Sequence, residues 1–229
     1  VTVKNKPEET PRVIWVPDDF ETIQGAIDAS EDGDTVRVRA GTYEGMVYFW
    51  DKNIWLDSEE GPEVTIIEGS NDTYGIRCDR GQDATNTIRG FTIHGGMRGI
   101  GLRSGSSSRI LNNIVFSPDG KNLFSDFNRS IFLNNIFTNS GSGNLELWSS
   151  FGYFYNNLVI HSGNYAMFNR SFYENALIVD YNLFWDYQDL SNEPSFVFGN
   201  NNLFDIAPNF VENGFSLRND SPCVDTGNP

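Results

Sequence analysis

The chain has 229 residues, 38% of them apolar, with 18 Phe, 9 Tyr and 5 Trp, and a formal charge of −15. That much negative charge sets the net field against a polyanion such as a nucleic acid, and no apolar run is long enough to insert in a membrane. A neutral glycan, or an acidic one bridged by cations, suits the same field. Cys78 and Cys223 form neither a disulfide framework nor a metal motif and read as core thiols. The sequence opens at Val1 with no Met and no apolar leader, as a mature protein or an excised piece would.

Residues 1–12 read as a polar lead-in, and residues 13–34 as an N-terminal strand and cap helix. Val13 to Val16 predicts the strand, closed by Pro17. Asp18 or Asp19 is placed to cap a helix over about residues 20–30, with Glu21 in its first turn. Ile23, Ala26 and Ile27 give that helix one narrow apolar face. After the Gly33-Asp34 turn, residues 35–40 alternate as a strand. Short alternating segments then replace helices: Ile54 with Leu56, Val64 with Ile66, Ile76 with Cys78, Ile100 with Leu102, and Leu145 with Leu147. Clusters of Gly, Asn, Ser and Asp part them.

Asn112-Asn113, Asn134-Asn135 and Asn156-Asn157 stand 22 residues apart, each pair between apolar residues. One period earlier lies Gly90-Phe91; after a longer interval comes Asp180-Tyr181-Asn182-Leu183-Phe184. A fixed period of this length marks a stacked repeat. A leucine-rich repeat would share the period, but neither a leucine consensus nor a recurring helix is present. The remaining solution is an all-β, single-stranded parallel β-helix. Its laps rise about 4.8 Å each, and the stretch from Val36 to Phe215 gives roughly eight of them.

Asn tolerates the left-handed backbone of tight turns, and its amide can bond to the Asn of the next lap. That inward ladder falls to the second Asn of each pair, Asn113, Asn135 and Asn157, and by alignment to Asn182. Ile93, Val115, Phe137, Val159 and Phe184 then also point inward. Open solenoid ends need caps. The helix serves at one end and residues 208–229 at the other, giving a single domain over 1–229 with coils from 35 to 207.

Val16-Pro17-Asp18-Asp19-Phe20-Glu21-Thr22-Ile23-Gln24-Gly25-Ala26-Ile27-Asp28-Ala29, followed by Gly33-Asp34-Thr35-Val36 and Ala40-Gly41-Thr42-Tyr43, resembles the N-terminus of right-handed β-helix proteins of the pectate-lyase and pectin-esterase superfamily. Ala207-Pro208-Asn209-Phe210, Phe215-Ser216-Leu217 and Ser221-Pro222-Cys223-Val224-Asp225-Thr226-Gly227 are similar to the closing segment of bacterial extracellular members. Ile88-Arg89-Gly90-Phe91-Thr92-Ile93 is similar to a lap signature of the same group. The resemblance implies a right-handed coil, a secreted or cell-surface location and a polysaccharide partner. It does not select an activity, because the superfamily mixes lyases, hydrolases, esterases, epimerases and non-catalytic members.

The residues test each option. The esterase motif Asp-Phe-Ile-Phe-Gly is answered by Ser195-Phe196-Val197-Phe198-Gly199, with Ser where the nucleophilic carboxylate belongs. Polygalacturonase-type hydrolysis needs converging carboxylates, and the one Asp-Asp, Asp18-Asp19, reads as a helix cap. A lyase or epimerase needs an Arg or Lys base and carboxylates holding Ca2+. Arg103, then Glu146 and Trp148, then Phe168 point outward on neighbouring rungs, with Asp126 and Arg129 in the following turn region. Arg103, Asp126 and Glu146 are the catalytic candidates; Trp148, Phe168, Trp185 and Tyr187 are the aromatic platforms for a sugar.

His94 and His161 fall three laps apart, roughly 14 Å, and cannot share a metal; both read as surface residues. An outward column of Thr92, Ile114, Ile136, Leu158 and Leu183, with Phe116, Ile160 and Trp185 beyond it, reads as apolar surface awaiting a terminus or a partner. Three readings follow: a glycan-binding or structural module of a larger extracellular protein, a calcium-dependent uronate lyase or epimerase, and a spacer docking a partner protein.

Overall fold

A computed structural model describes residues 10–70, 73–162, 164–169, 177–187, 196–210, 218 and 221. The chain is a parallel β-solenoid of three sheets, visited in the order A, B, C on each lap. Among the described residues sheet A stacks nine strands, from Val13–Val16 and Thr35–Val38 through Arg109–Leu111, Arg129–Leu133 and Phe151–Tyr155 to Phe196–Phe198. Sheet B stacks eight, from Gly41–Glu44 to Leu203–Phe204, and sheet C six, from Val47–Tyr48 to Met167–Asn169. Every pairing is parallel, so each strand is matched with its equivalent one lap on.

Alternation decides what each strand buries. In sheet B, Ile67, Ile93, Val115, Phe137, Val159 and Phe184 form one fully buried column, in register from lap to lap. Sheet A contributes Val36, Leu56, Ile88, Ile110, Phe132 and Phe154; sheet C contributes Ile76, Ile100, Leu123, Leu145 and Met167. Cys78 belongs to this core, and burial pushes its thiol up to about 12. Cys223 lies outside the described residues.

The corner between sheets A and B holds the asparagine ladder. The first residue of each pair takes the left-handed backbone, with φ of 54° at Asn112, 56° at Asn134, 55° at Asn156 and 58° at Tyr181. That turn aims the next residue inward, and Asn113, Asn135, Asn157 and Asn182 are all buried. Asn113 Nδ2 donates to Asn135 Oδ1 at 3.2 Å, Asn135 to Asn157 at 2.9 Å and Asn157 to Asn182 at 3.1 Å. Each Oδ1 also accepts the backbone N–H of the Asn one lap earlier, as from Asn113 to Asn135 at 3.0 Å. The ladder continues one step beyond the expected four, from Asn182 Nδ2 to Asn202 Oδ1 at 3.0 Å. It starts at the Gly90-Phe91 lap, where Phe91 fills the inward site and only its N–H reaches Asn113.

Four expectations are corrected. The helix spans Ile23–Ala29 and is capped by Thr22, whose Oγ1 accepts the Gly25 N–H at 3.1 Å. Asp19 instead accepts the Trp15 N–H at 2.8 Å, and Asp18 pairs with Arg39 at 2.7 Å. In the strand Thr65–Glu68 the inward residues are Thr65 and Ile67, not Val64 and Ile66. Thr65 is tolerated inside because Ser58 Oγ donates to its hydroxyl at 2.7 Å. The outward column of sheet B is not open surface: Ile114, Ile160 and Leu183 are buried, and Thr92, Ile136 and Leu158 half-buried. Apolar exposure lies on sheet A instead, where Tyr153, Ile178 and Val197 are in register and each more than a third exposed.

At the N-terminal end Asp34 receives Arg12 through its backbone N–H, Nε and Nη2 at 2.7, 3.2 and 2.7 Å. Burial acts to raise the Asp34 pKa, but the Arg12 hydrogen bonds and charge outweigh it and hold the carboxyl below its ordinary value. The helix packs on the first strands of sheets A and C. Of the closing segment, Asn209 accepts the Arg218 N–H at 2.9 Å and Pro208 O accepts the Ser221 hydroxyl; the rest lies outside the described residues.

Candidate functional site

The side chains with chemical potential gather on the outer face of sheet C. Its strands turn Ile76, Ile100, Leu123 and Leu145 into the core, so the alternate residues Arg77, Gly101, Phe124 and Glu146 lie on the outer face. One outward row, residue against residue, is Tyr48, Arg77, Gly101, Phe124, Glu146 and Phe168. A second is Tyr74, Arg98, Lys121 and Gly143. At the far edge Asp126 faces Trp148, with Arg103 Nε 3.7 Å from Asp126.

Two glycines make room for rings. A Cβ on Gly101 would stand 2.2 Å from the Tyr74 ring, and one on Gly143 2.5 Å from the Tyr165 ring. With the rings lying over bare backbone, cations and aromatics alternate across the face. Arg77 stands 5.5 Å from the Tyr48 ring centre and 5.3 Å from that of Tyr74. Arg98 lies 5.5 Å from Tyr74 and 4.6 Å from Phe124, and Arg103 follows at 5.8 Å from Phe124. Tyr48, Arg77, Tyr74, Arg98, Phe124 and Arg103 thus form one continuous cation–π ribbon.

The carboxylates are matched singly. Arg77 donates to Asp79 at 2.8 Å through Nε, and the Tyr48 hydroxyl reaches Asp79 at 3.2 Å. This hydrogen bond raises the Arg77 pKa against the opposing effect of burial; burial first, then Asp79, raises that of Tyr48. Asp126 accepts the Ser104 N–H at 2.6 Å besides facing Arg103. Glu146 pairs with Lys121 and accepts the Trp148 indole N–H at 3.0 Å. Beside that pair, burial pushes up the Tyr165 hydroxyl.

Of the residues singled out in the sequence, Arg103, Asp126, Glu146, Trp148 and Phe168 do meet on this face. Asp126 ends the strand Lys121–Asp126 rather than sitting in a turn, whereas Arg129 opens the next strand of sheet A and stacks on Phe151 at 5.3 Å. Trp185 and Tyr187 lie on sheet B, and Tyr187 packs against the core, so they do not extend the same platform. Tyr48, Tyr74, Arg77, Arg98, Lys121, Phe124 and Tyr165 were missed. Their signal was the outward half of the alternation around Ile76, Ile100 and Leu123.

His94 and His161 sit on strands separated by Ile114–Phe116 and Ile136–Thr138, three laps apart as expected. His94 is no bare surface residue: its Nδ1 is 3.0 Å from Glu68 Oε1, and its ring stacks on Phe116 at 4.4 Å. Among the described residues no three His, Cys, Asp or Glu side chains converge to hold a metal ion, and no helix is long and apolar enough to cross a membrane.

The fold and this face define a β-helix protein with a single decorated sheet. Its sequence from residue 27 to 221 matches the family described as "Periplasmic copper-binding protein (NosD)", and the chain belongs to that family. Membership places it outside the cytoplasm. A similar solved structure is the catalytic domain of a GH87 alpha-1,3-glucanase (D1069A variant) in complex with tetrasaccharides. It has 15% identity and a TM-score of 0.50, over 86% of this chain and 41% of that one. The chain therefore spans about two fifths of that neighbour, and at this identity the likeness is one of fold. No curated protein matches the chain.

The family description raises copper, and the described residues do not fit it. The Cys78 thiol is sealed in the core, Met167 is buried, the exposed Met97 sulfur lies 3.2 Å from the Arg98 cation, and the His94 imidazole has Glu68 and Phe116 as partners. Among the described residues no three His, Cys, Asp or Glu side chains come together for copper or for the Ca2+ that a lyase would need.

Proposed function

We propose that this chain is an extracytoplasmic glycan-binding β-helix whose binding surface is the outer face of sheet C. The observation that carries this reading is the alternation of rings and guanidiniums from Tyr48 to Arg103, half-buried save for the buried Tyr74, continued by Trp148 and Phe168. Rings stack on the apolar faces of sugars, while guanidinium and carboxylate edges bond to hydroxyls. The glucanase domain of similar fold, in complex with tetrasaccharides, supports the choice of ligand class by analogy.

Binding accounts for the face better than bond cleavage does. Asp79, Asp126 and Glu146 each hold a cation, and Glu146 the Trp148 N–H as well. Carboxylates engaged in this way are already occupied by neighbours of the same face, so none stands free to act on a glycosidic oxygen. Arg103, charged and set against Asp126, is likewise poorly suited to act as a base. A glycan array followed by calorimetry on the strongest hit tests the reading. Trp148→Ala is expected to weaken that hit at least about tenfold, the equivalent of about 1.4 kcal/mol. Undiminished binding by a folded Trp148→Ala protein would place the ligand elsewhere.

A further inference from the structure

The charges on the sheet C face are not spread evenly along the ribbon. Of its three guanidiniums, Arg77 is paired with Asp79 and Arg103 faces Asp126. Arg98, between them, has no carboxylate partner among the described residues. Its Nη1 lies 3.4 Å from the Tyr74 hydroxyl and 3.2 Å from the Met97 sulfur, both weak acceptors for a cation, and its Nε is buried without an acceptor. The Tyr74 and Phe124 ring centres lie 5.5 and 4.6 Å from its Cζ. Lys121, next in its row, is taken by Glu146. In a chain of net charge −15, a cation left unneutralised between two ion-paired arginines is a local reversal of field.

We propose that Arg98 is the specificity-determining position of the face. It reads one anionic substituent, a carboxylate or a sulfate, on an otherwise neutral sugar chain lying across the ribbon. Charge matching limits the number: the flanking pairs are already neutral, so a densely charged polyanion would meet Asp79, Asp126 and Glu146 while Arg98 is the one unpaired guanidinium of the ribbon among the described residues. The planar guanidinium offers two parallel N–H donors to either oxyanion, and the rings that clamp it keep the side chain preorganised. This inference rests on the glycan reading above and adds the class of ligand to it.

The test compares three soluble polymers with one β-linked glucose backbone: hydroxyethyl cellulose, carboxymethyl cellulose of low substitution, and cellulose sulfate of low substitution. Affinity electrophoresis with the full chain is expected to show at least a tenfold preference for one or both anionic forms; which one distinguishes carboxylate from sulfate. Arg98→Gln should bring the ratio of anionic to neutral affinity to about one, while Arg98→Lys, which keeps the charge, retains part of it. The log–log dependence of affinity on salt should have a slope near one, as for about one ion released. Wild-type protein binding all three polymers equally would overturn the role of Arg98 and leave the glycan reading standing. An Arg98→Gln protein that keeps the full preference would do the same. Failure to bind any of the three, together with a blank glycan array, would remove both.

Discussion

At the corner between sheets A and B one lap repeats the next to within a few degrees, with φ of 54–58° at Asn112, Asn134, Asn156 and Tyr181. On the outer face of sheet C no two adjacent laps carry the same side chain: Arg77, Gly101, Phe124, Glu146 and Phe168 occupy one row. Stacking enforces the first pattern. Each buried amide has its donors and acceptors satisfied only if the laps above and below present the same group at the same height. The outer face has no such partner to match, so its residues are free to differ. In a solenoid, regularity therefore reports stability, and departure from it marks where function can be built.

The comparison can be broken most decisively at Asn135. Its Oδ1 accepts from the Asn113 N–H and Nδ2, and its own Nδ2 donates to Ile110 O at 2.8 Å and to Asn157. Asn135→Ala strands several buried groups and is expected to cost about 3–4 kcal/mol, read by urea unfolding. Its neighbour makes the contrast sharper. Asn134→Ala loses only tolerance of a left-handed backbone, about 1 kcal/mol, and Asn134→Gly should be close to neutral. Equal losses at 134 and 135 would contradict the division of labour within the pair.

On the outer face the expected stability effects are smaller. Arg77→Ala breaks a partly exposed ion pair with Asp79 and should cost no more than about 1 kcal/mol, while lowering glycan affinity. A loss as large as that of Asn135→Ala would mean the ribbon is structural.

The N-terminal clamp adds a pH dependence. The Asp34 pKa is depressed in the folded state, so its contribution is present above the ordinary carboxylate range of about 4 and is lost as pH falls through the folded value. Asp34→Asn should flatten the acid limb of a stability-versus-pH curve below about pH 4 and leave the neutral region parallel to wild type. An unchanged acid limb would show that Arg12 does not hold the carboxylate. The smallest expected effect is that of copper. One equivalent of Cu(II) should leave the melting temperature of wild type and of His94→Gln alike, and a stoichiometric shift lost in the variant would contradict the misfit at His94.

What could be read in the sequence follows the same division. The 22-residue spacing exposed the ladder and the inward column, because both are imposed by stacking. Asn202 escaped since the last lap is only 20 residues long between ladder positions. The Val64–Ile66 slip came from assuming that only apolar residues turn inward, where Thr65 is satisfied by Ser58. The cap was misread because Asp18 and Asp19 are drawn off by Arg39 and the Trp15 N–H, leaving Thr22 to do it. Arg103, Glu146, Trp148 and Phe168 were found by alternation alone, but Arg77 and Arg98 required knowing which strands share sheet C.

The central claim, that the ligand surface is the irregular face of sheet C, is tested most directly by hydrogen–deuterium exchange with and without a bound glycan. Slowed exchange should be confined to sheet C, in segments spanning residues 47–48, 74–78, 98–103, 121–126 and 143–148, with the sheet A strands unchanged. Protection centred on residues 151–155 and 177–180, around the exposed Tyr153 and Ile178, would contradict the account.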